Sequence, residues 1–197
     1  MSEEKFIRAI NAFDEYNRKD PNIEVADQQS YPKELLYAVR MTERLKIYTP
    51  EAPDYIQLAA RCQHIGRWQI PRSTYPMDRK GYLKWRNELK QHHASIAEGI
   101  LRKCGYDENT IELVKFILLK KQPHVNPDTR LLEDIICLVF IEHYLDDFAF
   151  KHEESKVVDI LQKTVKKMSP RAVREAAGLA KSNRINELLR MAAGSKQ

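Results

Sequence analysis

Strong chain breakers are scarce here: 197 residues hold six glycines and nine prolines. That scarcity excludes a loop-dominated scaffold and leaves room for long regular elements. The three cysteines, Cys62, Cys104 and Cys137, are odd in number, far apart and without a CxxC pair. A disulfide framework and a structural zinc finger are therefore not expected. The longest apolar run, Ile135 to Ile141, falls far short of a bilayer span. Met1 to Lys5 is charged, with no apolar signal region behind it. These absences predict a cytoplasmic protein that does not cross a membrane. A Gly-rich phosphate loop, a GxSxG elbow and an HExxH helix are missing too, so the chemistries those motifs serve are not expected.

What is present is a globular balance, 43% hydrophobic and 31% charged, far from the composition of a disordered chain. The net charge of +5 admits anionic ligands without naming one.

Apolar residues recur at helical spacing almost throughout, which predicts an all-α fold. One domain is expected over 1–197, with a core over 30–150 and a C-terminal helical appendage over 155–193. Phe6, Ile7, Ile10 and Phe13 mark a first helix that ends before Asp20-Pro21. The polar stretch 21–30 reads as a loop, and no strand alternation is apparent. Pro32 suits the first position of a second helix carrying Leu35, Tyr37, Ala38, Met41 and Leu45. A third helix follows Pro50 and Pro53 and runs into Gln63-His64-Ile65-Gly66-Arg67, where the glycine predicts a sharp turn. The stretch from Trp68 to Trp85 contains Pro71 and Pro76 and few aliphatics, which predicts an ordered, functional loop. Further helices are expected from about Lys84 to Cys104, capped by Gly105, and over Asn109–Lys120, Leu131–Phe150, Val157–Met168 and Pro170–Met191. The Leu131–Phe150 helix is apolar nearly all round and should be central.

Several polar side chains fall on inward faces of these helices. Glu34 lies beside the Ala38–Met41 face. His64 ends the third helix, and His93 shares a face with Leu89, Ala97 and Ile100, while His92 points about 100° away and reads as surface. Asp134 lies on the Leu131–Leu138–Ile141 stripe, and Glu133 is beside it. A carboxylate buried without a partner costs several kcal/mol, so it needs a metal, a cation or hydrogen-bond donors. A structural ion pair, for instance with Arg67 or Arg72, would satisfy the same need.

Seven cations from Arg61 to Arg86 alternate with Trp68, Tyr75, Tyr82 and Trp85. Guanidinium groups grip phosphate in bidentate fashion, and aromatic faces stack on planar rings. A phosphorylated small molecule or nucleotide is the expected partner, bound through Arg67, Trp68, Arg72, Tyr75 and Arg86. Nucleic acid is disfavoured, because Glu175 and Glu187 interrupt the basic C-terminal stretch.

Two resemblances follow from these residues. Glu34, His64, His93 and Asp134, one per helix, resemble the ligand arrangement of the HD-type metal phosphohydrolases. Gln63-His64-Ile65-Gly66-Arg67 is similar to their His-Asp-Ile-Gly-Lys segment. Here the His-Asp pair has become Gln63-His64, and Glu34 stands where the first histidine would be. The resemblance implies a divalent metal of open identity on Glu34, His64, His93 and Asp134. It also implies catalytic roles for His64, His93, Asp134 and Glu133, with metal-activated water as the attacking group. The second resemblance covers most of the chain. Gln63-His64, Arg67-Trp68, Ile70-Pro71-Arg72, Tyr75-Pro76, Gly81-Tyr82, Trp85-Arg86, His93-Ala94, Gly105-Tyr106 and Leu132-Glu133-Asp134 resemble the domain-of-unknown-function family DUF4202, which implies no reaction. The rival expectation is a non-catalytic binding or scaffold module whose inward polar groups form a structural network.

Overall fold

Helical periodicity dominates the folded chain, a computed structural model that describes residues 3–179 and 183–194. The fold is all-α apart from one small hairpin. It divides into two compact units, Met1–Gln122 and Pro123–Gln197. That division falls inside the 30–150 stretch expected to be core.

The first unit contains α1 (Glu3–Asn17), strands β1 (Ile23–Ala26) and β2 (Gln29–Pro32), α2 (Lys33–Tyr48), α3 (Asp54–Arg61), α4 (Arg79–Lys103) and α5 (Glu108–Leu118). Two single 3-10 turns, Arg67–Gln69 and Arg72–Thr74, lie between α3 and α4. Phe13, Met41, Leu45, Ile56, Leu58, Ile65, Leu101 and Ile111 are fully buried and make its core. Asp14 on α1 takes a forked pair of hydrogen bonds from Arg61 on α3, at 2.7 and 2.6 Å. At the other end of α1, Arg8 donates to the carbonyl of Cys104, where α4 ends. Gly105 follows with φ +79, the left-handed cap expected there.

The second unit contains α6 (Pro127–His143), α7 (Leu145–Lys151), α8 (Glu154–Val165), α9 (Pro170–Leu179) and α10 (Asn183–Gly194). Helix α6 buries Leu132, Ile135, Leu138, Val139 and Ile141, which its all-round apolarity predicts. Ser169 caps α9 by accepting from the Ala172 N–H at 3.2 Å, and Pro170 is at the first helical position. The span read as one helix, Pro170–Met191, comprises α9, α10 and residues 180–182, which lie outside the described residues.

Four expectations need correcting. The stretch 21–30 is largely an antiparallel hairpin pairing Ile23 with Pro32 and Ala26 with Gln29. It escaped notice because Ile23 and Val25 face outward, 58% and 69% exposed, so no strand face points to a core. Its turn residues, Asp27 and Gln28, both have positive φ, a geometry that usually calls for Asn-Gly. Helix α4 begins at Arg79 rather than near Lys84, because Asp78 accepts the Gly81 N–H at 2.7 Å and caps it. Helix α6 begins at Pro127 rather than Leu131, with Asn126 accepting from the N–H groups of Asp128 and Thr129. It stops at His143, where Tyr144 leaves helical geometry and α7 begins.

The start of α2 positions everything that follows. Pro32 precedes its first residue and contributes no side-chain cap. The cap comes from Asp20, just beyond α1. Its carboxylate accepts the Glu34 N–H at 3.0 Å and the Asn22 N–H at 2.9 Å while almost wholly buried. An acceptor at a helix N-terminus satisfies an orphan donor and complements the helix dipole. Replacing Asp20 with Ala should lower stability by about 2 kcal/mol, judged from helix-cap substitutions and unsatisfied buried donors. Urea denaturation with an unchanged m-value is the check, and a loss within error of zero would show that the cap contributes nothing.

Candidate functional site

Past α3 the chain makes a run of turns that delivers three polar side chains to one place. Ile65, fully buried, anchors the run between His64 and Gly66. Gly66 has φ +68, a left-handed backbone that favours glycine, and a Cβ there would also press on Ile96 Cδ1 at 2.6 Å. Three side chains hold this turn. Asn17 accepts the Gly66 N–H at 3.2 Å and its amide reaches the Glu34 carbonyl at 3.5 Å. His92 Nε2 lies 3.2 Å from the Gly66 carbonyl and 3.0 Å from Gln69 Oε1. His93 Nδ1 lies 2.6 Å from the Ile65 carbonyl. His92 is thus half-buried and engaged, not the surface residue that its angle on α4 suggested, because the Gly66 turn packs against that flank.

Glu34, in the first turn of α2, is 6% exposed. Its carboxylate is 3.4 Å from His64 Nδ1 and 3.7 Å from Arg67 Nε. Burial raises its pKa to about 7, against the opposing pull of the Arg67 charge. His64 stacks on Tyr37 at 4.1 Å with 13° between the planes. Burial and the adjacent Arg67 hold its pKa well below the ordinary imidazole value, so it is neutral. Arg67 Nη1 is 3.5 Å from His64 Nε2. A guanidinium can only donate, so Nε2 is the acceptor and Nδ1 carries the hydrogen that faces Glu34.

His93 is 5.8 Å from His64 between ring centroids and 3% exposed. Burial lowers its pKa to about 3. With Nδ1–H donated to Ile65, Nε2 is an unprotonated, buried acceptor without a hydrogen-bond partner among the described residues.

Glu34 and Arg67 also form the wall of an open cleft of about 660 Å³, together with Lys33, Trp68, Arg72 and Trp85. The Arg67 guanidinium lies over the Trp85 ring at 4.8 Å, and Trp85 is fixed by its indole N–H to the Ile70 carbonyl at 2.8 Å. Arg72 donates to the carbonyls of Tyr75, Pro76 and Asp78, so it ties the loop while facing the cleft.

The structure therefore brings Glu34, His64, His93 and Arg67 into one neighbourhood, with Trp68 and Arg72 on the adjoining cleft. Tyr75 and Arg86 are not among its lining residues. Tyr75 offers its carbonyl to Arg72, and Arg86 lies against Tyr82. Asp134 and Glu133 belong to the second unit. Asp134 is 3% exposed and accepts the Ser169 N–H at 2.7 Å, which supplies one donor for a buried carboxylate; Glu133 is half-buried. Lys33, Tyr37 and Asn17 joined the site without any sequence signal beyond their helical positions.

Among the described residues no three His, Cys, Asp or Glu side chains form a group able to hold a metal ion. The donor chemistry gives a reason. Both nitrogens of His64 face partners, and the fixed charge of Arg67 adjoins Glu34 and His64. In this arrangement Glu34, His64 and His93 do not fit a divalent metal.

A model of the family described as Domain of unknown function (DUF4202) matches residues 7–189. No curated protein and no solved structure matches the chain.

The raised Glu34 pKa has a sign that can be checked. Below about pH 4.5 the carboxyl is protonated in both states. As pH rises to about 7 the unfolded state loses its proton first, so the folded state loses stability through that window. Glu34→Gln removes this dependence. Its stability relative to the native chain should rise by up to about 3 kcal/mol between pH 4.5 and 8 and level off above. The neutral histidines weaken both proteins toward acid, so the difference between the two urea midpoints is the quantity to follow. A difference independent of pH would sink the assignment.

Proposed function

The chain belongs to the domain-of-unknown-function family DUF4202, and we propose that its cleft binds a phosphorylated small molecule of the nucleotide class, with Glu34 and His64 as an acid–base pair. The observation that carries this reading is the wall composition. Lys33, Arg67 and Arg72 bring three positive charges, Trp68 brings a half-buried indole, the buried Trp85 carries Arg67 over its ring, and Glu34 is the buried carboxylate beside them. Guanidinium donors match phosphate oxygens, indoles stack on a planar ring, and a carboxyl near neutral pKa is suited to moving a proton.

In the hydrolytic form of this reading, Arg67 and Lys33 hold the phosphoryl oxygens. Glu34 takes the proton of the attacking water as its oxygen bonds to phosphorus, the P–O ester bond breaks, and the carboxyl returns that proton to the departing ester oxygen, while neutral His64, 3.4 Å away, keeps the carboxyl oriented. The sequence order Glu34, His64, His93 across α2, the turn after α3 and α4 supports a diverged HD-like arrangement as the ancestry of this site. The metal-assisted version of that chemistry lacks support in the donor set described above.

One observation favours a second, non-catalytic reading. Arg72 is engaged by three backbone carbonyls and His93 by a fourth, which is how a structural network behaves.

Thermal denaturation with inorganic phosphate, nucleoside monophosphates and the matching nucleosides tests the proposal. Phosphorylated compounds should raise Tm by roughly 5–10 °C at about 100 times Kd, and nucleosides should not. Phosphate release from a bound monophosphate should fall about 100-fold or more in Glu34→Gln if the pair is catalytic. Binding without turnover would favour the second reading. Absence of any shift across the phosphorylated panel would end the ligand assignment.

A further inference from the structure

We infer that the Arg67 guanidinium is the resident cation of this site and that its exposed edge binds the oxyanion directly, without a divalent metal. The inference rests on the reading of the cleft as a phosphate site and identifies which group does the work there.

Arg67 directly follows the left-handed Gly66, at the start of a 3-10 turn, so its backbone is set by the one conformation that turn permits. Its side chain is held on three sides. Nε lies 3.7 Å from Glu34 Oε1, Nη1 lies 3.5 Å from His64 Nε2, and Cζ lies over the Trp85 ring at 4.8 Å from its centroid. Trp85 is itself fixed to the Ile70 carbonyl, so the guanidinium plane has a rigid platform. A planar cation held by an aromatic ring, a hydrogen-bond acceptor and a nearby carboxylate is preorganised, and that is what bidentate oxyanion binding requires.

The donor count points to a ligand. Of the five guanidinium hydrogens, one on Nη1 points to His64 Nε2, while the Glu34 carboxylate lies 3.7 Å from Nε as an ion pair. The Nη2 hydrogens have no acceptor among the described residues, although the side chain lies in the cleft wall and is 28% exposed. Lys33 enters the same cleft with no ion-pair partner among the described residues. The positive charge is therefore only partly neutralised, by Glu34, and one edge of it remains open. His93 Nε2, buried without a partner, gives an independent sign that the polar centre is not self-satisfied.

A metal on the same groups meets a specific obstacle. The lone pair of His64 Nε2 faces Arg67 Nη1 at 3.5 Å, and its Nδ1 lies 3.4 Å from the Glu34 carboxylate. A divalent cation would have to displace those contacts and lie beside a guanidinium that does not deprotonate in proteins. Arg67 thus supplies, as a fixed organic charge, the electrostatic stabilisation that a metal supplies elsewhere.

Isothermal titration of the full chain with inorganic phosphate and with adenosine 5′-monophosphate tests this, in chelator and again with added Mg²⁺ or Mn²⁺. Kd should agree within about twofold between the two conditions, and Arg67→Lys should weaken it about tenfold or more, since lysine keeps the charge but loses the planar edge. Circular dichroism checks that the variant folds. Should it fail to fold, the chelator comparison on the native chain decides alone. Binding that appears only with the divalent ion overturns the role of Arg67 and leaves the ligand reading intact. A folded Arg67→Lys that binds as well as the native chain overturns it too. No binding of either probe in either condition overturns both.

Discussion

A carboxylate withdrawn from water at the start of α2 is the constraint around which the first unit is arranged. Glu34 is nearly inaccessible, and a charge in that position is costly unless donors converge on it. Its own backbone is gripped at both ends, the N–H by Asp20 and the carbonyl by Asn17. Asn17 also holds Gly66, so one buried amide at the end of α1 registers Glu34 against the turn that carries His64 and Arg67. Neutral His64 and the charge of Arg67 then lie within 4 Å of the same carboxylate, at 3.4 and 3.7 Å. The pKa near 7 records the balance, with desolvation ahead of the arginine's attraction.

The helices were legible because apolar residues repeat at 3.6-residue spacing over long stretches; α2, α3 and α5 appear close to where that spacing put them, and α8 lies three residues earlier, at Glu154–Val165 rather than Val157–Met168. Boundaries were legible only where the signal was local and familiar, as at Ser169-Pro170 and Gly105. Asp78 is an equally ordinary cap, yet it lies in a stretch whose prolines and few aliphatics argued for loop. The hairpin was illegible for a different reason. Its apolar residues face water and its turn uses Asp27-Gln28, so neither patterning nor turn chemistry announced it.

At the site, helical faces sufficed to place Glu34 and His93 inward, whereas His64, expected to end the third helix, lies in the turns beyond Arg61. What they could not convey is the geometry of a turn. Arg67 is not on a regular helix, and its approach to Glu34 depends on a single positive φ at Gly66. That is why a reading built on one ligand per helix implied a metal centre, whereas the turn brings a guanidinium to Glu34 and His64. Asp134 shows the same blind spot. Its burial could be read from α6, but its acceptor role toward the Ser169 N–H depends on how a later helix begins.

Whether this centre is a scaffold or a binding site turns on what it leaves unsatisfied. Buried ion pairs can often be replaced by apolar residues without loss of stability, so a purely structural reading gives Glu34 and Arg67 little reason to exist. A network built for stability alone should also close on itself, since a partly satisfied one is worse than an apolar core. This one does not close. His93 Nε2 and Gln63 Oε1 are buried acceptors without partners among the described residues, and the Nη2 edge of Arg67 is open toward a cleft walled by indoles. Local rules are broken most often where a site must meet a ligand, and the unpartnered His93 Nε2, 5.8 Å between ring centroids from His64, and the open edge of Arg67 are two such breaches in the neighbourhood of Glu34.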